Sequence, residues 1–482
     1  MTRKLIFVPA LVVFAGLLGV SPYWMGVRAE RTYDGVLRAA SANGPVSFQI
    51  RAYDRGWFSS RARVAVTVRI PTGRLPAAPG AGVSTREITF NIAQRIDHGP
   101  FPFRDWRAAG WAPVQAVVHT ALDLNPQTMS TLMRDAGGHP PLTMVTVVHL
   151  SGASDTRIGI PAFRMPIGAI LPGTLAWKGL QGRVEMAGDF SRSTQDLTLV
   201  GVSFLGAAGA VKIGDVHLVG RGQRGASGLM LGSSTLHVGA FTVTNGRTGA
   251  TPVVLRDVTL QSTSGESDGA VTLAVNSRVA HMTLGGVDVG PAEYDVTARD
   301  LDAAALVQFQ TALQDLRSRR LTQKQLQLRL AEQFRILLPA LLHRSPEVEI
   351  RRLSFKTPVG GVQGHGQVKF DATGYDAGAA GNGWLQHLQG SADLQIPPVL
   401  VRSLLAHQAR AQLAVARQQG TLGEADDARL TMLAGLMAKQ RMQGLEAQGL
   451  LRCTDARCDL ALRYRNGTLS VNDHVIPLHP KR

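Results

Sequence analysis

Five features of the sequence have residue types and spacings that could do chemistry. Gly265-Glu266-Ser267-Asp268-Gly269 has the Gly-x-Ser-x-Gly spacing of a nucleophile elbow, with Ser267 as the attacking hydroxyl. That elbow needs a strand entering and a helix leaving. Here VTLQSTS precedes it and AVTLAVNS follows, so it reads as a polar hairpin turn. Gly220-Arg221-Gly222-Gln223-Arg224-Gly225 has the Gly-x-Gly-x-x-Gly spacing of a dinucleotide loop, but a strand-like run follows it and no acid occurs before Asp257. A loop is again the better reading. The 13 histidines are scattered, with none at His-Glu-x-x-His or His-x-His spacing. Asp426-Asp427 suits a helix start better than acid/base work, and Met432, Met437 and Met442 lie at helical spacing, as core or groove lining would. No catalytic set, cofactor site or metal site emerges, and the expectation is a protein that is not an enzyme.

The chain has two cysteines, Cys453 and Cys458, in Cys-Thr-Asp-Ala-Arg-Cys between strand-like runs. Zinc would need two further ligands, and no histidine lies within ten residues. Four intervening residues also differ from the two of a thioredoxin-like redox motif. The spacing predicts a disulfide across a hairpin in an oxidising compartment.

The N-terminus specifies that compartment. After Arg3 and Lys4, the run LIFVPALVVFAGLLGVSPYWMGV carries no charge from Leu5 to Val27. Its 23 residues exceed the roughly 20 that cross a bilayer core. Arg3 and Lys4 would remain cytoplasmic, with Tyr23 and Trp24 at the opposite interface. The competing reading is a cleaved signal peptide ending at Val27-Arg28-Ala29. The apolar run is longer than the usual 7–15-residue core of such a peptide, which favours an uncleaved anchor. Either way the rest of the chain is exported, and the expected location is the inner membrane, single-pass, with the bulk periplasmic.

A chain of 482 residues, 44% hydrophobic and 18% charged, is globular and too long for one core. The net charge of +16 raises nucleic acid as a partner, but only 8 of the 51 basic residues are lysine and the arginines are spread along strands, with no run longer than Arg319-Arg320 or Arg351-Arg352. No nucleic-acid role is expected; contact with anionic lipid or wall polymer fits better.

The elements that would position any site follow from hydrophobic period. From 30 to 300 the pattern is period two, as in Ile88, Phe90, Ile92 and Ile96 against Glu87, Thr89, Asn91 and Arg95. Turns every 10 to 15 residues, with no helical pattern between, predict antiparallel meanders. Residues 71–82 read as an exposed loop and 125–141 as a short helix or lid between strands. Period 3.6 takes over from 301 to 344, where Thr322 is a candidate helix cap; strands return from 345 to 398. A second helical block spans 399–449, with Thr421 or Asp426 as a cap, and 450–482 closes the chain as a hairpin region turning at Asn466-Gly467. The fold class is mainly β with α: a long curved antiparallel sheet covered by amphipathic helices, behind one transmembrane helix at 1–29.

The stretch Tyr53-Asp54-Arg55-Gly56-Trp57-Phe58-Ser59-Ser60 breaks one alternating strand and opens the next, Val64, Val66, Val68 and Ile70. Gly56 lets the chain turn, Trp57 and Phe58 could fold under it as a plug, and Ser59 or Ser60 could satisfy local backbone groups. This stretch, the anchor, GVRAERTYDGVL, LPGTLAWKGLQGRVEMAG with Trp177, Gly179 and Gly182, and the closing YRNGTLSVNDHVIPL together resemble the YdgA-like family. Its members are bacterial inner-membrane-anchored envelope proteins of unassigned function, so the resemblance implies a location and no catalytic residue.

The expected function is a tethered, non-enzymatic envelope protein that binds lipid or envelope partners through a groove in the sheet. Expected partners are the inner membrane, a phospholipid or other amphiphile, and an envelope protein. The alternatives are an exported hydrolase of lipid or cell-wall material using Ser267, or a purely structural scaffold.

Overall fold

The computed structural model describes residues 21–476, apart from 28–29, 32, 36, 38–45, 72–84, 103, 167–172, 208, 247–250, 285–286, 319–322, 376–382 and 419–426. Strand makes up 55% of the described residues, more than twice the usual share. The period-two pattern requires this, since alternate residues of each run must find a buried face. The expected loop at 71–82 and the candidate caps Thr322, Thr421 and Asp426 fall, wholly or almost wholly, outside the described residues. So do residues 5–20 of the expected anchor. Residues 21–27 are helical, and among the described residues no helix is long and apolar enough to cross a membrane.

The chain divides into two compact units, Met1–Gly239 with Val307–Ile336, and Ala240–Leu306 with Leu337–Arg482. In the first, β1 (Val46–Arg55), β2 (Ser59–Pro71), β3 (Thr85–His98), β4 (Val114–Asp123), β5 (Thr143–His149) and β6 (Ser154–Ile160) form an antiparallel meander. The strands β7 (Phe163–Pro166) and β8 (Gly173–Trp177) pair with each other. The next strand, β9 (Leu180–Met186), closes back on β6, and β10 (Arg192–Gly206) pairs with β9 along its first half and β8 along its second. β11 (Gly209–Arg224) completes the run, and β12 is Met230–Asn245. The expected short helix is Pro126–Asp135, capped by Asn125, whose Oδ1 accepts from Thr128 N at 2.8 Å.

The core of this sheet lies where the alternation predicts. Val64 and Val66 of β2 and Ile92 of β3 are buried beneath Tyr33 and Leu37, which are helical, as are residues 21–27 and 30–31. Each such side chain contributes about 1.5–3 kcal/mol by leaving water.

In the second unit β13 (Val253–Ser267), β14 (Ala270–Leu284), β15 (Val287–Val289), β16 (Ala292–Asp302), β17 (Glu347–Thr357), β18 (Gly360–Phe370) and β19 (Leu388–Ile396) are again antiparallel. β20 (Arg452–Cys453), β21 (Cys458–Arg465), β22 (Thr468–Val471) and β23 (His474–Ile476) follow, with β21 on β19. Cys453 and Cys458 face each other across β20–β21 and are disulfide-bonded. Asn466 and Gly467, both at positive φ, make the expected two-residue turn.

The 301–344 region holds helices Ala303–Ser318 and Gln323–Leu342. The later helices are Pro398–Gln418 and Asp427–Ala447. They pack on each other, and their base closes on the disulfide hairpin, where Val401, Leu405 and Met442 meet Leu451 and Cys458. Met442 is buried, whereas Met432 and Leu436 remain more than half exposed. The buried stripe of that helix runs Leu430, Ala434, Ala438 and Met442, so of the three methionines at helical spacing only Met442 lies on it.

Candidate functional site

The β1–β2 corner is a tight turn closed by Gly56 N–H donating to the Ser59 carbonyl at 2.9 Å. Its inward group is Ser60, not the aromatics. Ser60 is 1% exposed, and its Oγ lies 2.9 Å from Nε2 of His98 at the end of β3. Nδ1 of His98 is 3.2 Å from the Trp57 carbonyl. A carbonyl only accepts, so Nδ1 carries the proton and Nε2 accepts from the Ser60 hydroxyl. Burial holds the His98 imidazole below its ordinary value, and the nearby Arg55 adds to this against two backbone contacts that raise it.

A serine beside a histidine is the start of a nucleophile–base pair. Here both are buried, and Gly26 of the N-terminal helical stretch lies directly over the ring. The pair is a lock that joins that stretch to the corner. Tyr23 packs its ring 5.2 Å from that of Trp57, and Arg55 lies 5.3 Å from the Tyr23 ring while bonding Glu30 at 2.9 Å. Tyr53 sets its ring 6.0 Å from that of Tyr33. The expected plug is corrected: Trp57 and Phe58 are 51% and 53% exposed, because the turn spends its inward positions on Ser60 and on backbone bonds.

The two faces of this sheet carry two different concavities, and one irregularity in β4 divides them. The register between β4 and β5 shifts between Val114 and Ala116. Such a bulge re-aims a side chain. Val114 and Val117 therefore share one face, packing with Val145 and Val147. Gln115, Ala116 and Val118 line a cavity of about 190 Å³ on the other. Ile96, Met144 and Met186 supply apolar walls, and Tyr33 and Leu37 approach from the helical stretch.

Two glutamines punctuate that cavity. Gln94 is satisfied: its Nε2 donates to Thr120 Oγ1 at 2.8 Å, and its Oε1 accepts from the Tyr33 hydroxyl. Burial, with the neighbouring Tyr53, pushes the Tyr33 phenol far above its ordinary value, so it acts as a neutral donor. Gln115 is not satisfied. It is 1% exposed, yet neither its Nε2 nor its Oε1 has a hydrogen-bond partner among the described residues.

The opposite face is an open trough of about 990 Å³ over β5, β6, β9 and β10, floored by Val145 and Val147 and edged by Asp155 and Arg183, an ion pair at 2.6 Å. Farther along this face stand Arg95, Asp97 and His119, with Asp105 reaching in from the 99–113 loop. Arg95 bonds both carboxylates at 2.9 Å, and His119 Nε2 lies 2.9 Å from Asp105. Burial raises the Asp97 carboxyl, and its hydrogen bond with Asp105 raises it further against the pull of Arg95. Burial would also raise Asp105, but hydrogen bonds with Asp97 and Arg95 and the electrostatic pull of His119 and Arg95 outweigh that and lower it. The fold thus shifts the two carboxyls in opposite directions, Asp97 up and Asp105 down. Asp97, Asp105 and His119 bring ligand atoms within 4.8 Å of one another, the spacing of a cation site. The Arg95 guanidinium already sits on both carboxylates, so the charge is closed as an ion network.

Sequence spacing missed both clusters, since Asp97, Asp105 and His119 have no motif and come together only through the β3–β4 register. Ser267 is where the hairpin reading put it, paired with Ala270 across an Asp268-Gly269 turn, with its hydroxyl on Asp268 at 3.1 Å. Gly220, Gly222 and Arg224 lie within β11, and Gly225 opens the turn that follows.

A family model for bacterial proteins of unknown function, DUF945, matches residues 1–479. No curated protein and no solved structure matches the chain.

Proposed function

The chain belongs to the DUF945 family, and we propose that it is a membrane-tethered envelope protein that binds an amphiphile without transforming it. The charge-free run Leu5–Val27 and the likeness to YdgA-like proteins support an inner-membrane tether with the bulk of the chain periplasmic. The disulfide fits that oxidising compartment.

The observation that carries the binding role is the Gln115 amide, buried and unpaired at a mostly apolar cavity. Leaving such a group unsatisfied costs about 1–3 kcal/mol, which a bound partner returns. A carboxamide offers two donors and one acceptor, so it suits a carboxyl, ester or amide head. Ile96, Val118, Met144 and Met186 suit the chain attached to that head. At about 190 Å³ the space is below the 300–1,000 Å³ of ordinary ligand pockets. It holds one chain segment, not a whole phospholipid. Ser267, in an exposed hairpin, lends no support to a hydrolase.

Native mass spectrometry of the full-length protein tests this. A bound amphiphile at fixed stoichiometry is expected; a bare polypeptide mass, under conditions that keep the fold, contradicts it.

A further inference from the structure

The end of the first sheet where β1 turns into β2 and β3 leads to β4 has an unusual surface. Tyr23, Trp24, Trp57, Phe58, Phe101 and Trp111 all stand exposed there, Trp24 at 68% and Trp111 at 75%. The only other exposed aromatics among the described residues are Tyr294 and Phe334. Four of the six come from the corner and the helical stretch packed against it. The other two come from the 99–113 loop, which starts at the same strand end because Ser59 pairs with Asp97 and His98 N–H donates to the Phe58 carbonyl.

Folding alone does not ask for this arrangement. Exposed large apolar groups cost solubility, and contiguous ones mark an interaction surface. Trp111 also holds a φ of 63°, a conformation a bulky side chain rarely adopts, which turns its ring outward beside Trp106. Arg104 and Arg107 are exposed in the same loop, and the Arg107 guanidinium lies 5.3 Å from the Trp106 ring.

We infer that this aromatic and arginine end is a footing that lies in the head-group layer of the bilayer. The occupant follows from where the chain goes. The charge-free run that supplies the tether ends at Val27, and its last residues include Tyr23 and Trp24, within this surface. Gly26 sits on His98, Tyr23 on Trp57, and Arg55 on Glu30, so the corner is fixed at the point where the chain leaves the bilayer. Tryptophan and tyrosine favour that layer because the ring is apolar and the N–H or O–H stays hydrated. Arginine adds contact with anionic phosphates. The tyrosine-to-serine motif of residues 53–60 thereby acts on both sides of the corner. Ser60 locks it from within, and Trp57 and Phe58 rest it on the lipid.

The inference rests on the tether reading, and one experiment separates the two. Full-length Phe58→Cys, Trp111→Cys and Val200→Cys variants carry a polarity-sensitive fluorophore on the new thiol, the native pair being disulfide-bonded. They are reconstituted into phosphatidylcholine–phosphatidylglycerol vesicles with or without head-group-proximal spin-labelled lipid. All three should float with the vesicles. The probes at 58 and 111 should shift to the blue and lose most of their emission to the quencher, while the probe at the exposed Val200 of β10 stays unchanged. Flotation with a water-like, unquenched probe at 58 overturns the footing and leaves the tether standing. Failure to float overturns both.

Discussion

Gly26 and His98 are in direct contact: a Cβ on Gly26 would stand 2.4 Å from Cε1 of the His98 ring. Both ring nitrogens of His98 are engaged, by Ser60 and by the Trp57 carbonyl, so the ring cannot step aside. Gly26→Val should therefore lift the N-terminal helical stretch off the corner at a cost of about 1–3 kcal/mol. A lower Tm, together with loss of the Tyr23–Trp57 ring contact seen as altered tryptophan emission, is the expected readout.

Ser60→Ala leaves His98 Nε2 buried without its donor. The expected cost is about 1–3 kcal/mol in urea unfolding. Ser60→Thr, which keeps a hydroxyl, should recover part of that loss; an alanine variant as stable as the wild type would refute the lock.

His98 also gives a pH dependence with a defined sign. Its folded value is depressed below the ordinary 6.5, so the unfolded chain takes up the proton first as pH falls. The neutral imidazole's contribution is complete above about pH 6.5 and declines as pH drops toward the folded value. Stability measured at about pH 7.5 and about pH 5.5 should fall on acidification. The slope should flatten in His98→Gln, which keeps hydrogen-bonding groups but does not titrate.

Asp97 and Asp105 should respond in opposite senses. The fold raises the Asp97 carboxyl, so Asp97→Asn replaces a disfavoured charge with a neutral donor and should be neutral or stabilising at pH 7. Asp105 is lowered and serves Arg95 and His119 together, so Asp105→Asn should cost about 1–3 kcal/mol. Paired thermal melts decide it, and equal losses in both variants would contradict the opposite shifts of the two carboxyls.

Much of the fold is legible in local pattern. Alternation marks the β2 and β3 faces that bury Val64, Val66 and Ile92, and Asn466-Gly467 and Asp268-Gly269 mark their hairpins. The site is not legible in that way, because it depends on contacts distant in sequence. Alternation assigns Gln115 to the face of Val117, and only the bulge moves it to the cavity. Asp97, Asp105 and His119 meet because β3 and β4 pair in one register around a loop. Trp57 and Phe58 look like core by residue type, and what overrides this is the corner they occupy.

The central claim is that the Gln115 cavity holds the head and first segment of an amphiphile. It is tested most directly by extracting the purified full-length protein with organic solvent and quantifying small molecules by mass spectrometry, beside Val118→Trp, which fills the cavity, and Gln115→Leu, which removes the amide. The account predicts a stoichiometric amphiphile in the wild type, its loss in Val118→Trp, and its depletion in Gln115→Leu, with the fold intact in each by circular dichroism. Equal amounts of the same molecule in all three, or none in the wild type, would contradict it.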